Sequence, residues 1–193
     1  MLLALVALMP ASLVSCSETE EESTEFADWQ ERNDAYFTSV YTKAKQASDA
    51  GDKKWRVIRA YTKNPESTKP TDFIVVEVIS EGTGTASPLY TDSVAIHYSG
   101  RLMPSASFAD GYQFDSSWTG DYNINTMNAT KGVAGSFITG FTSALQEMKD
   151  GDRWKVYIPY DLGYGSSVQN EIPAYSTLVF DLTLVKSWKK RLK

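Results

Sequence analysis

Three runs of strict alternation constrain this chain more than anything else in it. Val94, Ile96 and Tyr98 share one side of a strand, with Ala95 and His97 on the other. Trp154, Val156 and Ile158 repeat the pattern, and Pro159 ends that strand. Leu178, Phe180, Leu182 and Leu184 repeat it once more. A face built with period two is buried only by packing it on another element. Between the runs, Phe141, Ala144, Leu145 and Met148 follow helical spacing, closed by Asp150-Gly151. The expected fold class is α+β, an antiparallel β-sheet wrapped around a short helix.

The upstream third adds to that frame. Residues 72–80, DFIVVEVIS, read as a further strand, turned by Glu81-Gly82-Thr83-Gly84. Lys53–Tyr61 also alternates, with Trp55 and Val57 on one face. Residues 26–50 predict an N-terminal helix, because Phe26, Trp29, Asn33, Tyr36, Phe37, Val40 and Ala44 recur at spacings of three and four. Asp49-Ala50-Gly51-Asp52 stops it. Such a stripe is a packing face, destined for the main domain or for a second copy of the chain. A homodimer through residues 26–50 is therefore one expectation. Asn64-Pro65 to Lys69-Pro70 has the composition of a linker. The expected division is an accessory region over 26–70, a main domain over 71–188 and a basic tail over 189–193.

Charge and ends narrow the class further. The 193 residues carry a net charge of -5, with a pI near 5.0. An acidic chain lacks the basic face that nucleic-acid phosphates require, so nucleic acid is not an expected partner. Leu2–Met9 is apolar but too short to span a bilayer, and it fits the hydrophobic core of a secretory signal. It leads to Leu13-Val14-Ser15-Cys16, which resembles the bacterial lipoprotein signal, with Cys16 as the lipidated residue. That resemblance implies a signal peptide over 1–15, membrane attachment through Cys16 and a place in the cell envelope, on the outer membrane. Residues 16–25 are rich in Glu and read as an acidic tether. Cys16 is the only cysteine, so no intrachain disulfide and no cysteine-rich metal site can form.

Several chemistries lack their residues. There is one histidine, and there is no Gly-x-Ser-x-Gly elbow, no HExxH, no phosphate-binding loop and no cluster of metal ligands. His97, in mid-strand, reads as a satisfied structural histidine. What remains is an aromatic and aliphatic set with few polar groups. It suits a dry pocket for an apolar ring and a carbonyl, with no cofactor.

Five ordered motifs carry a family resemblance. They are His97-Tyr98-Ser99-Gly100-Arg101-Leu102; Gly111-Tyr112-Gln113-Phe114-Asp115; Ile138-Thr139-Gly140-Phe141 with Ala144-Leu145-Gln146-Glu147-Met148; Ile158-Pro159 with Gly163-Tyr164-Gly165; and Ile172-Pro173 with Leu178-Val179-Phe180-Asp181-Leu182. Together they resemble the FKBP-type peptidyl-prolyl isomerases over about residues 72–188. The resemblance implies a curved antiparallel sheet around the short helix, a pocket between them, and proline-containing polypeptides as substrates. It implies Tyr98, Phe114, Ile138, Phe141 and Phe180 as apolar walls and Asp115 as a buried acceptor. Tyr164 and the Ile138 N–H would donate to a substrate carbonyl, and Ile172 would close the rim.

The sequence departs from the family in places. Phe141 stands where the family usually has tryptophan at the pocket floor, which implies weaker macrolide binding. The aromatic pair that usually follows the Phe-Asp motif is not evident in Asp121–Ala134, where only Tyr122 and Met127 are candidates. Ala174 stands where a second proline is common. An isomerase assisting folding in the envelope is the expected function. The alternative is a weakly active or inactive binding lipoprotein on the same fold.

Overall fold

A computed structural model describes residues 24–189. The expected signal peptide, Cys16, most of the acidic tether and the last four residues of the basic tail lie outside the described residues. Seven strands form one antiparallel sheet: β1 (Trp55–Arg59), β2 (Phe73–Ser80), β3 (Ser93–Leu102), β4 (Gln113–Ser116), β5 (Thr130–Val133), β6 (Arg153–Ile158) and β7 (Leu178–Trp188). Their order is β1-β2-β6-β7-β3-β4, with β5 also beside β3. One side of β3 runs the length of β7, from Ser93 opposite Trp188 to Leu102 opposite Leu178. The other side is shared, β5 pairing with Ser93–Ile96 and β4 with Ser99–Arg101.

The alternation resolves into two faces. Ile74, Val76, Val94, Ile96, Trp154, Val156, Ile158, Leu182 and Leu184 are fully buried on the inner face. They meet α2 (Thr139–Leu145), whose Phe141, Ala144 and Leu145 are buried with the following Met148. Burying one such aliphatic side chain contributes about 1.5–3 kcal/mol, so this layer dominates stability. Gly140 permits the close fit, because a Cβ there would overlap the side chain of Ile158 on β6.

The outer face carries α1 (Trp29–Asp49). Phe37 and Ala44 are buried against Val75, Tyr157 and Val179, with Tyr36, Val40, Tyr41, Trp55 and Val57 at the margin. The stripe that could serve a second copy is thus spent on this chain's own sheet. The segment expected as an inter-domain linker is the loop of a β-hairpin. β1 and β2 pair antiparallel across it, from Trp55 opposite Glu77 to Arg59 opposite Phe73. Ala60 is buried in the inner cluster, so residues before the expected boundary share the main core. Loop composition is the same for a linker and a hairpin turn, and only the alternation of 55–59 hints at the pairing.

His97 points to the outer side, beneath the rings of Trp118 and Tyr122 at 6.4 and 5.6 Å. It is buried, and burial lowers its pKa, so it is neutral. The expectation of a satisfied histidine needs correction: Nδ1 has no hydrogen-bond partner among the described residues.

Candidate active site

Four of the expected wall residues converge on the inner face. Phe180, near the start of β7, is 5% exposed. It stands edge-on to Phe141 of α2 at 5.1 Å, to Phe114 of β4 at 5.7 Å and to Tyr98 of β3 at 6.4 Å. Tyr98 is also edge-on to Phe141, at 6.1 Å. Rings at these angles and distances sit near their favourable quadrupole arrangement, about 0.5–1.5 kcal/mol per pair beyond area burial. The register explains the meeting. Gly100 lies opposite Phe180 on one side and opposite Asp115 on the other. A Cβ on Gly100 would come within 2.6 Å of Phe114 and 2.7 Å of Phe180. A residue without a side chain therefore lets two rings cross the strand between their neighbours.

The polar groups are few and placed at the edge. The Tyr98 hydroxyl donates to Asp115 Oδ2 at 2.8 Å. Burial, then the bond to Asp115 and its charge, push the Tyr98 pKa up to about 12. Its proton is therefore held at neutral pH, and the bond fixes the ring. Asp115 itself is exposed, which corrects the expectation of a buried acceptor. It sits on β4, a four-residue strand at the sheet edge, where solvent reaches one side. Tyr164 lies in the loop after β6, and its hydroxyl is raised first by burial and then by the charge of Asp115. Tyr164 remains 38% exposed.

Ile138 caps the N-terminus of α2, and its carbonyl accepts from Thr142 N–H at 3.0 Å. It is partly buried against the inner cluster. Ile172 is buried in the same cluster. The loop that carries it is tied across the site, because the Tyr112 hydroxyl donates to Glu171 Oε2 at 2.7 Å. Sequence reasoning missed one aromatic residue here. Phe137 packs on Phe141 with ring centroids 4.8 Å apart and planes only 33° from parallel. Its place immediately before the Ile-Thr-Gly-Phe motif was the available signal. Tyr122, a sequence candidate for the unplaced wall, instead lies on the outer side over His97 and donates to Thr183 Oγ1 at 3.0 Å.

The arrangement offers an aromatic floor with a hydroxyl–carboxylate pair at its edge, and a partly exposed tyrosine in the loop after β6. Such a set suits an apolar ring and a carbonyl. A family model described as FKBP-type peptidyl-prolyl cis-trans isomerase matches residues 84–185. The chain is 38% identical over 122 residues to the macrophage infectivity potentiator of Trypanosoma cruzi, covering 63% of this chain and 56% of that protein. It is 34% identical over 147 residues to the FKBP-type peptidyl-prolyl cis-trans isomerase FkpA of Aeromonas hydrophila, covering 75% and 50%. The chain thus spans about half the length of these curated relatives. The crystal structure of FkpA from Escherichia coli is similar with a TM-score of 0.52 at 26% identity, covering 83% of this chain and 64% of that one.

Proposed function

The chain belongs to the FKBP-type peptidyl-prolyl cis-trans isomerase family, and from that membership we propose that it accelerates rotation about X–Pro bonds in polypeptides. One observation carries the proposal. Phe114, Phe141, Phe180 and Tyr98 meet edge-on in a single cluster, with the Tyr98–Asp115 bond at its edge. An X–Pro amide turns over in tens to hundreds of seconds because resonance opposes twisting. The twisted amide has lost that resonance and is less polar than the planar one. A pocket that excludes water from the proline ring and amide nitrogen favours it by differential binding.

In this reading the proline ring rests on Phe141 and is walled by Tyr98, Phe114, Phe180 and Ile138. The Tyr164 hydroxyl and the Ile138 N–H donate to the flanking carbonyl, and Ile172 closes the rim. Asp115 acts through Tyr98, holding its ring upright. No step forms or breaks a covalent bond. A protease-coupled or exchange-NMR assay on peptides with Leu, Phe or Ala before proline tests this. The full chain is expected to accelerate exchange, and Tyr164→Phe with Asp115→Ala to abolish the acceleration. A folded protein that accelerates none of the peptides would leave a binding scaffold in its place.

We further propose attachment to the envelope membrane through Cys16. The support is the apolar run Leu2–Met9 followed by Leu13-Val14-Ser15-Cys16. Each buried acyl CH₂ adds about 0.8 kcal/mol of membrane affinity. Acyl-chain labelling in a bacterial host is expected to mark the protein and to vanish in Cys16→Ser. Labelling that survives the change would refute it. A homodimer through residues 26–50 draws no support from the docked position of α1.

A further inference from the structure

The N-terminal half of α1 lies outside the stretch matched by the family model, yet it is bonded to the loop that carries the pocket rim. The indole Nε1–H of Trp29 donates to Ser176 Oγ at 2.9 Å. Ser176 Oγ in turn donates to the carbonyl of Pro173 at 2.6 Å. Asn33 Oδ1 accepts the backbone N–H of Thr177 at 2.7 Å, and Asn33 Nδ2 donates to the carbonyl of Trp29 at 2.7 Å. Asn33 is wholly buried.

Covering a sheet requires only apolar side chains. A buried amide costs stability unless its groups are bonded, and a leucine would fill the same place without that penalty. Here the amide oxygen is committed to the loop, and its nitrogen to the residue that grips the same loop. The polar pair therefore specifies where Ser176 and Thr177 sit.

The tie continues to the site. Tyr175 N–H donates to the carbonyl of Gly165 at 2.8 Å, next to Tyr164. Gln169 and Ile172 exchange backbone bonds of 3.0 and 2.8 Å, so the rim residue sits in a small closed turn. The Tyr160 ring stands edge-on to Tyr175 at 5.4 Å at the base of the loop.

We infer that Trp29 and Asn33 are positioning residues, through which α1 sets the place of the Tyr164 hydroxyl and of Ile172 over the pocket. This rests on the reading of the pocket as an X–Pro site. Small displacements of a donor matter, since about 1 Å can cost on the order of 100-fold in rate.

The test uses the full chain with Trp29→Phe, Asn33→Leu and Ser176→Ala, each alone and on a Tyr164→Phe background. Each single change is expected to lower kcat/KM, per folded molecule, by on the order of 10- to 100-fold, mostly in kcat. On the Tyr164→Phe background the same changes are expected to cost clearly less, because one of the two groups they position is gone. Equal losses on both backgrounds, or no loss at all, overturn the inference. Trp29→Phe and Ser176→Ala both break the Trp29–Ser176 bond, the second also losing the bond to Pro173, so the answer survives if Asn33→Leu fails to fold. An inactive wild-type chain would refute the isomerase reading instead. Amide exchange then decides the clamp: the Tyr175 and Ile172 N–H groups should exchange at least about tenfold faster in Trp29→Phe, and unchanged exchange overturns it.

Discussion

Phe180→Ala is expected to lose most isomerase activity and about 3–5 kcal/mol of stability together. The ring is 5% exposed and touches Tyr98, Phe114 and Phe141 edge-on, so its removal leaves a cavity that three neighbours cannot close. β7 is paired on both sides, with β3 and β6, which limits relaxation of the backbone. A domain of this size has about 5–15 kcal/mol in hand, so the variant stays folded at low temperature, with a much lower denaturation midpoint. Phe180→Leu separates the two losses. It keeps most of the volume, which holds the stability cost to roughly 1.5 kcal/mol. It still removes the aromatic wall, so activity per folded molecule should fall. Urea melts with peptide assays on the same samples check both variants. Full activity in Phe180→Leu would mean that the wall is structural only.

Gly100→Val sets two effects against each other. Valine favours a strand over glycine, and the strand scale spans about 1 kcal/mol. Overpacking a filled core costs about 1–3 kcal/mol. The added Cβ would stand 2.6 Å from Phe114 and 2.7 Å from Phe180, both ring atoms in a packed cluster. Crowding wins on these magnitudes, so destabilisation is expected. Activity should fall further than stability does, because both displaced rings line the proposed proline floor. Gly100→Ala should show the same sign with a smaller effect. A valine variant more stable than wild type and fully active would place the two rings elsewhere.

Much of this arrangement was legible in the chain itself. Val94, Ile96, Trp154, Val156, Leu182 and Leu184 alternate in sequence and are fully buried on one face. The same periodicity argument finds α2, and the family resemblance implies that Tyr98, Phe114, Phe141 and Phe180 meet. What stayed hidden depends on contacts between distant segments. Periodicity reveals that α1 has an apolar stripe, but not that Phe37 meets Tyr157 and Val179. It marks 55–59 as a strand, but not its partner. The exposure of Asp115 follows from the edge position of β4, which no local pattern encodes. Phe137 went unnoticed because it precedes a helix, where neither period applies. The packing of His97 against Trp118 and Tyr122 was hidden for the same reason, since the two rings arrive from a loop about 20 residues further along the chain.

Trp29 bonds to a serine 147 positions later, and the face that receives α1 is completed by Val179. Ribosomes release about 5–20 residues per second. α1 therefore emerges about 7 to 30 seconds before Ser176 and Val179, which complete its docking surface. Throughout that interval Trp29 lacks its serine, and Phe37 and Tyr36 can meet only the β1–β2 hairpin, through Trp55, Val57 and Val75. β7 pairs with both β3 and β6 and is made after them, so the β1-β2-β6 group and the group of β3 with β4 and β5 cannot join into one sheet until it arrives. Until β7 is made, the newborn chain can hold only those two parts of the sheet, and their apolar faces are exposed to aggregation.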